Sequence, residues 1–359
     1  MKISDYYTYA PKSKIKAGDA NPNGKYQFYT SSPDESRRCD EYLYDCKATV
    51  MGTGGSATLH YYDGKFSTST DCLTLIPNEK IRAKYLYYFF LANMDVLEAG
   101  FKGAGLKHTS KGYIDNIEIT KIPSLPSQDK IVNLFDELAL RIEKERRQIE
   151  KLDELVKARF VEMFGGIDLA PQNKEWTKIS DIGEVVSGST PKTSIKEYWN
   201  GNICWITPAE LSNMSGIIYD SKKKITERGK SSCSLRMMPS RTVILSSRAP
   251  IGKVALLGKE MCCNQGFKNI ICNEKVAPEY LYYLLGYNTI FLNSLGRGAT
   301  FKEISKKIVG EIKVPLPAKE LQNQFAVFTR QVDKSKFAVQ KSLEKTQLLF
   351  DSLMQEYFG

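Results

Sequence analysis

A chain of 359 residues with 42% hydrophobic and 26% charged side chains, including 20 Tyr and 16 Phe, has the length for two or three domains and a composition that excludes a disordered or peptide-like protein. Lys and Arg outnumber Asp and Glu by 51 to 41, a formal charge of +10 that favours an anionic partner such as nucleic acid. No apolar run approaches the roughly 18–20 residues of a membrane span, and the N-terminal residues lead into tyrosines and lysines instead of an apolar signal core, so a cytoplasmic protein is expected.

In chain order, residues 1–125 form a first globular part, in which Leu73, Thr74, Leu75 and Ile76 read as a buried strand and residues 83–91 as a short helix. Ile122-Pro123-Ser124-Leu125-Pro126 closes it, because two prolines forbid a helix before them. Residues 128–164 hold neither Gly nor Pro, and Ile131, Phe135, Leu138, Ile142, Ile149, Leu152 and Val156 follow a 4-3-4-3 rhythm broken at Glu145. That pattern predicts a coiled-coil helix roughly 55 Å long at 1.5 Å per residue, ended by Gly165-Gly166. Residues 166–317 form a second globular part, with a strand at Ile270, Ile271 and Cys272 and a helix over 278–287. A second long helix follows Val314-Pro315-Leu316-Pro317, with Phe325, Phe328, Val332, Val339, Leu343, Phe350 and Leu353 as its apolar line. A helix with one apolar stripe needs a partner. Either the two stripes pack on each other antiparallel, or both pair with other subunits.

The chain repeats itself. Asn78-Glu79-Lys80 and Tyr85-Leu86-Tyr87-Tyr88 recur as Asn273-Glu274-Lys275 and Tyr280-Leu281-Tyr282-Tyr283, at an offset of 195. Gly103-Ala104, Lys107 and Ser110-Lys111 recur as Gly298-Ala299, Lys302 and Ser305-Lys306, and, one residue out of step, Pro123 and Gln128 recur as Pro317 and Gln322. The expected fold class is therefore α+β: two globular domains (1–125 and 166–317) and two long antiparallel coiled-coil helices (126–165 and 318–359) in tandem repeat.

Charge is uneven along this plan. Residues 1–125 hold 16 basic and 14 acidic residues, 126–165 hold 8 and 9, 166–317 hold 21 and 13, and the tail 6 and 5. Excess on a compact domain and not on exposed helices fits a patch that meets phosphates. Four stretches of the second domain read as contact loops: Thr190, Lys192 and Thr193 behind Gly188-Ser189; Arg248 and Lys253 in the turn that starts at Ser246; Asn264 and Gln265, amides able to bond adenine, beside Lys268; and Arg297 and Lys302 in Gly296-Arg297-Gly298-Ala299-Thr300-Phe301-Lys302. Any one of them alone also reads as an ordinary turn.

Catalytic patterns are weak. Gly52-Thr53-Gly54-Gly55-Ser56 lacks the G-K-[ST] of a phosphate loop. Pro33-Asp34 with Asp45-Cys46-Lys47 matches the loose nuclease pattern in which carboxylates hold Mg²⁺, but the second repeat has no counterpart. The eight cysteines form no C-x-x-C pair, and His60 and His108 are the only histidines, so a zinc site is not expected.

Gly188-Ser189-Thr190-Pro191-Lys192, Glu197-Tyr198-Trp199-Asn200-Gly201, Trp205-Ile206-Thr207-Pro208 and Ser247-Arg248-Ala249-Pro250-Ile251-Gly252-Lys253 together resemble, in this order, the landmarks of a target-recognition domain from the specificity subunits of type I restriction-modification systems. Val314-Pro315-Leu316-Pro317 with Gln322 and Phe325, and Ile122-Pro123 with Gln128 and Ile131, resemble the starts of that family's conserved helices. The first domain departs from the pattern. It offers Ala10-Pro11-Lys12 and Gly24-Lys25-Tyr26-Gln27-Phe28-Tyr29-Thr30, and places Thr53 and Ser56 where the second has its arginine turn; with Lys107 and Lys111 these make Lys12, Thr53, Ser56, Lys107 and Lys111 its candidate DNA contacts. The resemblance implies a chain without catalysis or metal of its own. Its two domains would each read half of a bipartite asymmetric DNA site across a helical spacer. It also implies two methyltransferase subunits bringing S-adenosylmethionine, and restriction (translocase) subunits bringing ATP and Mg²⁺. A self-sufficient nuclease using Asp34, or a coiled-coil scaffold, are the competing readings.

Overall fold

The computed structural model describes residues 1–166, 168–170, 172–173, 175–248, 250–298 and 302–359. The chain forms two compact units, residues 1–148 with 339–359, and residues 149–338. Each therefore joins one globular part to the start of its own long helix and the end of the other.

In the first unit β1 (Tyr7–Tyr9), β2 (Tyr26–Tyr29), β3 (Arg38–Cys39), β4 (Tyr44–Gly52), β5 (Thr58–Thr68) and β6 (Cys72–Pro77) form one sheet in the order β1-β6-β4-β5-β2-β3. The neighbours are antiparallel except β2 and β5. Helices α1 (Ala83–Ala92), α2 (Met94–Ala99) and α3 (Lys111–Asp115) follow, and α4 (Leu125–Phe164) is the first long helix. Helix α1 is apolar around most of its girth because it is covered on two sides: Tyr85, Leu86 and Phe90 share a core with Met51 and Leu75 of the sheet and with Phe135, Met354 and Phe358 of the long helices.

In the second unit β7 (Thr177–Lys178), α5 (Ile179–Ile182), β8 (Gly183–Ser187), β9 (Trp199–Ile206), β10 (Met214–Ile218), β11 (Lys224–Ile225) and α6 (Glu227–Ser231) lead to β12 (Val243–Ser246), β13 (Val254–Leu257), β14 (Cys262–Cys263) and β15 (Phe267–Cys272). Helices α7 (Pro278–Tyr287), α8 (Thr289–Ser294) and α9 (Lys306–Glu311), strand β16 (Lys313–Val314) and the second long helix, α10 (Lys319–Phe358), complete it. The main sheet runs β10-β13-β12-β15-β8, beside a smaller sheet β11-β9-β14. Its two faces bury separate cores, one under α7, α9 and the long helices and one against Cys204, Ile206 and Met261.

The strands expected at 73–76 and 270–272 lie within β6 and β15, and the short helices are α1 and α7. Helix α4 starts three residues before Gln128, since Pro126 in a first turn removes no intrahelical hydrogen bond. Gly165 ends it at φ +76°, the left-handed conformation glycine adopts without strain.

The repeat extends to single hydrogen bonds. Buried Gln128 accepts from Arg82 N (2.7 Å) and donates to the Lys80 (3.1 Å) and Pro123 (2.9 Å) carbonyls. Buried Gln322 accepts from Ala277 N (2.8 Å) and donates to Lys275 (3.3 Å) and Pro317 (2.8 Å). One glutamine per copy thus ties the first turn of a long helix to the loop before a short one.

Within each unit the long helices pack on each other antiparallel. Phe135 meets Phe350 (5.3 Å between rings) and Arg141 donates to Ser342 in the first unit; Phe160 meets Phe325 (5.3 Å) and Asp153 pairs with Lys336 in the second. The expected residues line these cores: Ile131, Phe135 and Phe350 in one, Leu152, Val156, Phe325, Phe328 and Val332 in the other. Leu138 and Ile142 are buried, and Ile149, Val339 and Leu343 are half-buried. Glu145, where the rhythm breaks, is buried too. Burial raises its carboxyl pKa, but hydrogen bonds from Ser342 (2.7 Å) and Arg141 (3.1 Å) outweigh this and hold it below the ordinary range.

Candidate nucleic-acid interface

The loops singled out in the second domain converge. Ser189 N donates to Cys263 O and Asn264 Nδ2 to Thr190 Oγ1, both at 3.0 Å; Ser247 N donates to Gly266 O at 2.7 Å, and Ile304 N to Ser247 O at 3.0 Å. A Cβ at Gly188 would collide with the Cys263 and Asn264 carbonyls, which is why glycine precedes Ser189-Thr190. Ala249, Ala299, Thr300 and Phe301, named in two of these loops, lie outside the described residues.

Three residues expected to touch DNA make bonds within the protein framework. Lys253 Nζ donates to the Pro208 carbonyl (3.2 Å) and to that of Leu211, stapling the 207–211 turn to the sheet. Asn264 bonds the protein through both side-chain atoms, donating to Thr190 (3.0 Å) and accepting from Gly266 N (2.8 Å), which fixes the amide's orientation. Lys268 is 6% exposed, its ammonium 3.0 Å from Glu303 Oε1 and 3.2 Å from Ser247 Oγ, buried under the loops. A strand covered on both faces internalises every side chain, and this the local sequence did not reveal. Thr190 is half-buried and serves as Asn264's acceptor.

The remaining candidates face outward. Lys192, Thr193, Gln265, Arg297 and Lys302 are exposed and Arg248 is half-buried, and among the described residues none of their side chains has a hydrogen-bond or ion-pair partner.

The first domain carries the same device with different residues. In the second, Glu303 is bridged on one side to Arg248 and on the other to Arg297; in the first, His108 is bridged to Gly54 and to Lys102. Thr109 N donates to Thr53 O (3.1 Å) as Ile304 N does to Ser247 O. Gly54, His108 and Lys102 thus stand at the positions of Arg248, Glu303 and Arg297. His108 and Lys102 were not singled out from sequence; the offset of 195 leads from Arg297 to Lys102, whereas Glu303, the counterpart of His108, was itself no candidate. Lys12, Ser56, Lys107 and Lys111 are exposed, Lys111 lying over the Tyr9 ring at 4.2 Å, while the Thr53 hydroxyl donates to Asp71 O (3.0 Å).

The nuclease pattern does not assemble. Asp34 accepts from Ser36 and faces Arg37 (3.5 Å), and Lys47 is paired with Asp63 (3.2 Å). Among the described residues no group of three or more His, Cys, Asp or Glu could hold a metal ion, and no helix is long and apolar enough to cross a membrane.

Fold and site together define a class: a tandemly duplicated α+β protein whose globular parts each carry a pair of β-bridges joining three loop segments and pack on long helices. The chain belongs to the type I restriction modification DNA specificity domain family, whose model matches residues 1–154 and 171–348. Over 177 residues it is 44% identical to the type I restriction enzyme MjaIX specificity subunit of Methanocaldococcus jannaschii, covering 48% of this chain and 41% of that one. Over 275 residues it is 25% identical to the EcoR124I/EcoR124II specificity subunit of Escherichia coli, covering 70% and 63%. The matched part is thus under two thirds of either relative's length. The type I restriction-modification S subunit from M. genitalium shares the fold, with a TM-score of 0.72 at 18% identity over 100% of this chain and 95% of that one.

Proposed function

We propose that this chain is the DNA specificity subunit of a type I restriction-modification enzyme, reading a bipartite asymmetric site with one half assigned to each globular domain. The observation that carries the reading is the paired set of bridges: the family match spans both copies, and in each the same two backbone bridges recur with different residues, Arg248 and Arg297 in the second against a buried, side-chain-free Gly54 and an exposed Lys102 in the first. One scaffold with two contact sets is what two different half-sites require. In this reading the chain carries no catalytic group of its own. Two methyltransferase subunits docked on the long helices bring S-adenosylmethionine and the pocket for the flipped base, and restriction (translocase) subunits bring ATP and Mg²⁺, the assembly acting in the cytoplasm. Methylome sequencing of a host with and without the gene tests it: a split motif methylated only when the chain is present is expected, and identical methylomes overturn the proposal.

A further inference from the structure

Glu303 sits between two arginines. It is bridged antiparallel to Arg248 on one side and to Arg297 on the other, and residues directly opposite each other in such bridges point to the same face with Cβ atoms roughly 4.5–5.5 Å apart. Both guanidiniums are therefore within reach of the Glu303 carboxylate, yet neither pairs with it. The carboxylate is held instead by Lys268, whose ammonium approaches at 3.0 Å from the buried side and also touches Ser247 Oγ at 3.2 Å, while Ser247 Oγ in turn donates to the Gly266 carbonyl at 3.0 Å. Lys268 is 6% exposed and has no route to a ligand.

We propose that Lys268 is a positioning residue that occupies the Glu303 carboxylate and so leaves Arg248 and Arg297 unpaired and turned outward for DNA. The inference rests on the DNA-reading proposal above but concerns a residue that does not touch the ligand. Removing the ammonium leaves an unneutralised carboxylate between two mobile cations, and it captures one of them. The first domain needs no such lysine: its counterpart of Lys268 is Leu73, and its counterpart of Glu303 is His108.

The test uses the full-length chain and a duplex carrying the motif that methylome sequencing identifies. Lys268→Met is expected to weaken binding about tenfold, the scale of one lost arginine–base contact, and to flatten its salt dependence. Lys268→Met combined with Glu303→Gln restores both, because no carboxylate remains to hold the arginines. Phenylglyoxal labelling of Arg248 and Arg297 in the DNA-free protein, read by peptide mass spectrometry, reports the same change without DNA: both labelled in wild type, one of the two protected in the single variant, both labelled again in the double. A double variant as weak and as protected as the single, or a single variant indistinguishable from wild type, overturns the assignment. Wild type that ignores the motif duplex yet shows the labelling pattern counts against the DNA reading and not against the positioning role.

Discussion

Two neighbouring amides differ in their surroundings, one bound into the framework and one exposed. Asn264 bonds Thr190 and Gly266 N, whereas Gln265 is exposed with no partner among the described residues. Asn264→Ala is therefore expected to cost about 1–3 kcal/mol of stability, leaving a half-buried N–H and hydroxyl without partners, and it shows as a lower midpoint in thermal unfolding. Gln265→Ala should leave that midpoint within about 0.5 kcal/mol of wild type, as surface changes do, and act only on DNA affinity. A loss of stability from Gln265→Ala, or none from Asn264→Ala, would reverse the assignment. Arg248→Ala belongs with Gln265: about tenfold weaker binding to the cognate site with unchanged unfolding, measured by titration of labelled duplex. What the sequence showed here was chemical type, not direction. Asn264-Gln265-Gly266-Phe267-Lys268 reads as an amide- and lysine-bearing contact loop until β15 and its two covered faces are known, and only then does Lys268 turn inward while Gln265 stays out.

At the scale of elements, the long helices were legible because a 4-3 rhythm over forty residues leaves few alternatives, and the glutamines at their starts were legible because the repeat copied them. Residues at the helix ends were harder. Phe160, Met354 and Phe358 are buried but lie off the seam, because there the helices meet α1 and α7 and not only each other, so the apolar face widens beyond two positions in seven. Phe160 touches Phe164, Tyr280, Tyr287 and Phe325 with ring centroids 4.8–5.6 Å apart. Phe160→Ala is expected to cost about 3–5 kcal/mol through the cavity it leaves, while Leu155→Ala, at a position 48% exposed, stays within about 0.5 kcal/mol. Gln322→Ala tests the tie between helix and loop. It strands Ala277 N–H and two carbonyls, so a loss of about 1–3 kcal/mol is expected, and a neutral result in denaturant unfolding would show that the repeated glutamine is dispensable.

For the molecule as a whole, the +10 charge resolves into a second domain with 21 basic and 13 acidic residues and a first with only 16 and 14, so under the proposed function general attraction to phosphate would not serve two half-sites equally. In that proposal, register depends on the spacer between the two domains. If the helices set the distance between half-sites, the change that tests it must keep their packing. A heptad inserted into α4 alone shifts every later seam residue past its partner and reports only on stability. One heptad inserted in α4 between 138 and 152 and a second in α10 between 332 and 346 keeps the 4-3 rhythm in both helices and the antiparallel pairing between them. Seven residues add roughly 10.5 Å at 1.5 Å per residue, or about 3 base pairs at 3.4 Å each. The motif methylated in a host carrying this variant should keep both half-sites and lengthen the unspecified gap by about that number. An unchanged gap, with methylation intact, would remove the spacer role from the helices, and changed half-site sequences would mean that they take part in readout instead.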